Sequence, residues 1–193
     1  LYPNIKCELF EASINEQTQQ LLNGITELGI FSVPIEHQDN FEVLFRRDEE
    51  LTAVFHKDSV FLEDGQKSVT LKDLEDVPLS LSSGCSEIVL KAFAQKSMVP
   101  RITCTSTTRS TTLEWTRVKA AVSIVPVEEG EDLGEEFVAR PISDITADVY
   151  KTVVKVKDRP LSVAAQHFLK FYSKTRNSQQ VCDLDAILKS SNL

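Results

Sequence analysis

VTLKDLEDVPLSLSSGCSEIVLKAF, residues 69–93, is the stretch whose reading decides the fold. A polar turn, Val69–Asp76, leads into a short apolar strand predicted over Val77–Leu81. The strand breaks at Ser82-Ser83-Gly84. The chain then restarts as a helix whose apolar positions Ile88, Val89, Ala92 and Phe93 share one face. First-turn N–H groups have no partner inside a helix, and the macrodipole places about half a positive charge there. A strand that opens through small polar residues onto such a terminus can hold a carboxylate, phosphate or sulfate without a metal. The same residues also describe an ordinary capped helix.

Outward from this stretch, strands alternate with helices. Ile5–Phe10 reads as a strand, and Ser13 caps a helix with Leu21, Leu22 and Ile25 inward, stopped at Asn23-Gly24. Leu28–Val33 is a short strand ending at Pro34, and Phe41–Phe45 and Leu51–Phe55 are two more. Between those two, Arg46-Arg47 followed by Asp48-Glu49-Glu50 reads as a solvated turn. A further strand-to-helix join lies at Ile102–Thr108, with Leu113 and Trp115 beyond it, and Ala120–Val125 is a buried-type strand running into Pro126. Glu128–Glu136 is an acidic loop. Phe137–Ala139 and Tyr150–Val156 are strands, and Val163–Phe171 is a helix capped by Ser162 with Val163, Ala164, Phe168 and Phe171 inward. This order implies an α/β fold with parallel strands and crossover helices. Ligands in such folds sit beyond strand carboxyl ends, against helix N-termini.

Composition narrows the function. With 193 residues the chain can bury a core as one domain or two small lobes. A formal net charge of −8 argues against this segment gripping nucleic acid, which requires clustered Lys and Arg. No apolar run approaches the ~18 residues of a membrane span, and LYPNIKCELF has no signal-peptide layout. Cys7, Cys85, Cys104 and Cys182 form no CxxC pair, which favours a reducing, cytoplasmic setting. His37, His56 and His167 stand far apart, so no metal site is expected, and His167 reads as a structural histidine. No Ser-His-acid or Cys-His spacing and no phosphate loop is present, and Asp73 with Asp76 reads as turn chemistry. No enzyme and no cofactor is expected.

The order of segments resembles the effector-binding domain of LysR-type transcriptional regulators, nearly end to end. A YP-bearing helix end before a strand matches Leu1–Glu8, an "ELREGS"-like strand and helix start matches Glu8–Ser13, and "dGelDlaI" matches Asn23–Ile30. The most specific match is "vsLaDLadePlI" to Val69–Ser80. "aaGlGIalLP" is answered by Val118–Pro126, "vvRPlsd" by Phe137–Asp144, and "v.rkdRpLSpaaraFldf" by Val154–Phe171.

This resemblance implies a two-lobed fold of the type 2 periplasmic-binding-protein kind. The lobes would be residues 1–57 with 158–193, and 58–157, with a small-molecule effector between them. It also implies a homodimer or homotetramer, DNA contact only through a separate N-terminal helix-turn-helix, and no membrane partner. The family's effector contacts map onto Ser13, Ser32, Ser82, Ser83, Gly84, Cys85, Thr107 and Thr108. Ser32 stands where some members carry a basic residue, Ile14 replaces a frequent Thr, and Lys119 replaces a usual glycine, so the backbone there is expected to differ. In that family a strand and a helix of the first lobe usually precede the position matched by Leu1, and this reading expects the lobe to do without them. The lobe is therefore expected to rearrange, borrow a strand, or recruit its tail, Lys174–Leu193. Two other functions remain open. One is thiol redox sensing through Cys85, since a helix start lowers a thiol pKa. The other is solute binding for a transporter.

Overall fold

The computed structural model describes residues 5–32, 38–61, 65–175 and 179–180. The chain forms two compact units, residues 1–47 with 150–193 and residues 48–149. The divisions fall inside two long strands, at Arg47/Asp48 and Val149/Tyr150, whereas the sequence places them at 57/58 and 157/158.

In the first unit, α1 (Ile14–Leu22) precedes β1 (Gly29–Phe31), which pairs antiparallel with β7 (Val149–Val156). The next neighbour of β7 is β2 (Phe41–His56), and the two-residue β8 (Gln179–Gln180) pairs antiparallel with β2 at Phe45 and Arg46. Successive strand residues point to opposite faces, so Val154 packs with Leu21 and Phe31 while Val153 packs with Leu161, Ala165 and Leu169 of the α4 side (α4, Val163–Thr175). Two ties close the unit. The Arg159 guanidinium donates to the carbonyls of Leu21 (2.6 Å) and Leu22 (3.0 Å), the exposed end of α1. Glu27 accepts from the backbone N–H and hydroxyl of Ser162 (2.6 and 2.8 Å), the residue before α4. A cation thus meets a helix C-terminus and an anion a helix N-terminus, each opposite in sign to the local dipole.

The second unit holds β3 (Leu79–Ser82), α2 (Ser83–Gln95), β4 (Ile102–Ser106), α3 (Arg109–Arg117), β5 (Val122–Val127) and β6 (Phe137–Pro141). Its strand order is β6-β2-β5-β3-β4. β3–β4 and β3–β5 are parallel, while β1–β7, β2–β5, β2–β6 and β2–β8 are antiparallel, so the sheet is mixed rather than parallel. One face packs Leu79, Leu81, Val122 and Ile124 against Cys85, Val89 and Phe93 of α2. The other face carries α3 on hydroxyls. Thr116 Oγ1 lies 2.6 Å from Ser123 Oγ and 3.3 Å from the Val54 carbonyl, and Ser123 Oγ donates to the Thr112 carbonyl at 2.8 Å.

Several sequence expectations are corrected. Ile5–Phe10 forms no strand, and Leu9 is 88% exposed. Phe41–Phe45 and Leu51–Phe55 are one strand, and the charged run between them is no turn: Arg47 and Glu49 are buried within β2, with Arg47 over the Tyr172 ring. Ile25 lies outward beyond α1. In α4 the inward residues are Ala165, Gln166 and Leu169, while Val163, Phe168 and Phe171 face solvent. Pro34, His37 and Cys182 lie outside the described residues, as does most of the tail Lys174–Leu193 beyond β8.

Lys119, at a position where the family usually has glycine, itself takes left-handed backbone. Lys119 has φ 62°, its N–H donates to the Thr116 carbonyl, and Ala120 N–H donates to the Trp115 carbonyl, both at 2.9 Å. That pair of bonds is the Schellman closure, normally completed by glycine. Ser97 (φ 57°) closes α2 in the same way, and Gly24 (φ 72°) closes α1.

Candidate functional site

Parallel pairing of β3 with β4 sets Ser82 opposite Ser106, so both strands end level and each hands the chain to a helix. Ser82–Cys85 and Thr107–Thr108 therefore follow neighbouring strand ends, the strands themselves being about 4.8 Å apart by sheet geometry. Ser82 before α2, Ser83, Gly84 and Cys85 in its first turn, and Thr107 and Thr108 before α3 thus all lie beyond two neighbouring strand ends of one unit.

The two helix starts are equipped differently. Ser82 is the N-cap of α2, with φ −80° and ψ 141°, yet no side chain caps this helix and no acid stands in its first turn. The Ser82 hydroxyl instead lies 3.1 Å from Cys85 Sγ, and the Ser86 hydroxyl donates backward to the Ser83 carbonyl at 2.9 Å. The first turn of α2 is left to whatever acceptor approaches it. At α3, Thr108 Oγ1 accepts from the Thr111 N–H at 3.3 Å, and again no acid is present in the first turn. Thr107 is exposed beside it. Two adjacent positive helix ends, offered by small hydroxyl residues, favour an anion.

Cys85 faces the opposite way. It is fully buried among core side chains, with Sγ 3.4 Å from the Ile124 carbonyl. Burial pushes its thiol up, against the pull of hydrogen bonds from Ser82. A helix start was expected to lower it; desolvation wins, and the thiolate needed for redox sensing is disfavoured. The Cys85 side chain is a core contact, and only its backbone belongs to the helix opening.

The first-unit positions are separate from these. Ser13 caps α1 in a full capping box: its hydroxyl accepts from Glu16 N–H (3.3 Å), while Glu16 Oε2 accepts from the Ser13 N–H (2.9 Å) and hydroxyl (2.7 Å). Those bonds hold the Glu16 carboxyl below the usual range. The α1 terminus thus already carries its own carboxylate. Ser32 is half-buried just after β1.

Sequence reasoning missed Arg109 and Glu131. Arg109 follows Thr108 at the start of α3, and its Nη1 lies 3.2 Å from both carboxylate oxygens of Glu131 in the acidic loop. A cation in the first turn of a helix opposes the dipole and calls for an acid nearby, which was the available signal. Among the described residues no cluster of His, Cys, Asp or Glu could hold a metal ion, and no helix is long and apolar enough to cross a membrane.

The family profile of the LysR substrate binding domain matches residues 1–176. The chain belongs to this family. LysR substrate-binding domains have the type 2 periplasmic-binding-protein-like fold, and the mixed α/β architecture agrees with it. Among solved structures, the effector-binding domain of QuiR in complex with shikimate is 20% identical with a TM-score of 0.67, covering 90% of this chain and 85% of that one. The regulatory domain of CcmR from Synechocystis PCC6803, in complex with 2-PG, is 18% identical with a TM-score of 0.69, covering 91% and 86%. Full-length CbnR complexed with its target DNA is 21% identical with a TM-score of 0.63, covering 88% of this chain but 59% of that protein. No curated protein matches by sequence.

Proposed function

We propose that this LysR substrate-binding domain senses a small anionic metabolite and performs no catalysis. The reading rests on one observation: the uncapped start of α2 and the start of α3 lie side by side at the carboxyl ends of parallel β3 and β4. Amides of Ser83, Gly84 and Cys85 and the hydroxyls of Ser82, Ser83, Thr107 and Thr108 are its ligands. The family resemblance adds Ser13, whose hydroxyl is shared with Glu16, and Ser32 of the first unit as candidate effector contacts. In the whole regulator, DNA contact belongs to a separate helix-turn-helix, the domain works as a homodimer or homotetramer, and the setting is the cytoplasm. The complexes of QuiR with shikimate and of CcmR with 2-PG support an acidic effector. Effector binding shifts the regulator between states by its differential affinity for them.

The test is an amide NMR titration with shikimate, citrate and inorganic phosphate. A saturable shift of Ser83, Gly84, Thr107 and Thr108 is expected with at least one of them. A tight binder at 100 times its dissociation constant also adds about 2.7 kcal/mol to stability. If all three leave those amides unmoved, the reading fails.

A further inference from the structure

We propose that Glu131 is a built-in competitor: it occupies Arg109 until an anionic effector displaces it, so Arg109 is a specificity-determining cation of the sensing site. This rests on the anion-sensing reading above and adds a regulatory residue to it. Arg109 stands directly after Thr108 as the first residue of α3, just beyond the end of β4, the strand paired with β3. Its side chain and that of Glu131 are about three-quarters or more shielded, at 24% and 20% exposure. In this half-buried pair, Arg109 Nη1 is equidistant from both carboxylate oxygens, while Nε is enclosed with no hydrogen-bond partner.

The guanidinium therefore presents an unused donor beside a one-nitrogen contact. An Arg fork is best satisfied by two parallel bonds to a carboxylate or phosphate, and Glu131 does not supply them. Glu131 is itself held in place, since its Oε2 also accepts the Glu128 N–H at 3.2 Å and its own N–H donates to the Glu128 carbonyl at 3.1 Å. The acid is thus a tethered, imperfect stand-in for a ligand anion. An entering anion that engages Arg109 more fully displaces the Glu131 carboxylate from it.

The experiment measures inorganic phosphate affinity by the same amide titration on wild type, Glu131→Gln, Arg109→Gln and Glu135→Gln. Glu135→Gln removes an identical charge from an exposed position of the same loop and controls for long-range attraction. Glu131→Gln should tighten binding about threefold to tenfold, Glu135→Gln by less than about twofold, and Arg109→Gln should weaken it about tenfold. In the Arg109→Gln background, Glu131→Gln should have no further effect. If wild type binds phosphate but Glu131→Gln binds equally or more weakly, or no more tightly than Glu135→Gln, Glu131 is only a loop brace and the proposal is overturned. If no variant, wild type included, binds phosphate at Ser83 and Gly84, Glu131 has no anion to compete with and the proposal falls. The anion-sensing reading itself then stands or falls on shikimate and citrate. Thermal unfolding midpoints identify a variant that fails to fold, and Glu131→Ala replaces Glu131→Gln in that case.

Discussion

At single residues, the structure separates chemistry from packing. Cys85 occupies a helix start yet belongs to the core, so iodoacetamide at pH 7 should label the exposed Cys7 readily and leave Cys85 untouched in the folded protein. Mass spectrometry of the labelled chain checks this, and fast labelling of Cys85 would restore the redox case. Ser97 and Lys119 hold left-handed backbone that glycine adopts without cost. Ser97→Gly should therefore stabilise the protein by about 1 kcal/mol in urea unfolding. Lys119→Gly should gain less, because it also removes the Lys119–Asp58 ion pair (2.8 Å), and exposed pairs contribute about 0–1 kcal/mol.

Among the elements, α1 depends on its ends. Removing the cap with Ser13→Ala should cost about 1 kcal/mol. Arg159→Ala should cost about 2 kcal/mol, since it uncovers two carbonyls at the other end. Guanidinium unfolding of both variants would show it. The elements also show what sequence makes legible. The joins at Ser82-Ser83 and Thr107-Thr108 were readable because polar caps follow short apolar strands, and the site inherits that clarity. β2 was not readable as one strand, because its charged middle looks like a turn until Arg47 finds the face of Tyr172. In α4 the larger apolar side chains Val163, Phe168 and Phe171 lie outward while the inward face includes Ala165 and Gln166, so periodicity alone chose the wrong face. The Arg109–Glu131 pair spans a separation that no local pattern reports.

For the whole molecule, acid sensitivity follows from several carboxylates held below their ordinary range. Hydrogen bonds from Ser13 act on Glu16, and a hydrogen bond from Lys119 acts on Asp58. For Glu136 a backbone hydrogen bond is the larger cause and Arg117 the next. At Asp144 burial pushes upward, but Lys96 (2.5 Å) and the Leu71 N–H (2.9 Å) outweigh it. A depressed folded value means stability present above the ordinary carboxylate range and lost as pH falls through the folded values. Unfolding midpoints should thus hold from pH 7 to about 5, where relief of the −8 net charge helps, and fall steeply below about 4. An unchanged midpoint at pH 3 would contradict this.

The hydroxyl seat of α3 has one more effect. An apolar contact is non-directional and fixes the depth of a helix only through the shapes of the side chains that interlock. A bond chain from Thr116 through Ser123 to Thr112 is fulfilled at a single depth, since sliding would strand hydroxyls in a dry interior. The depth of α3 on the sheet is thereby set by one bonding pattern.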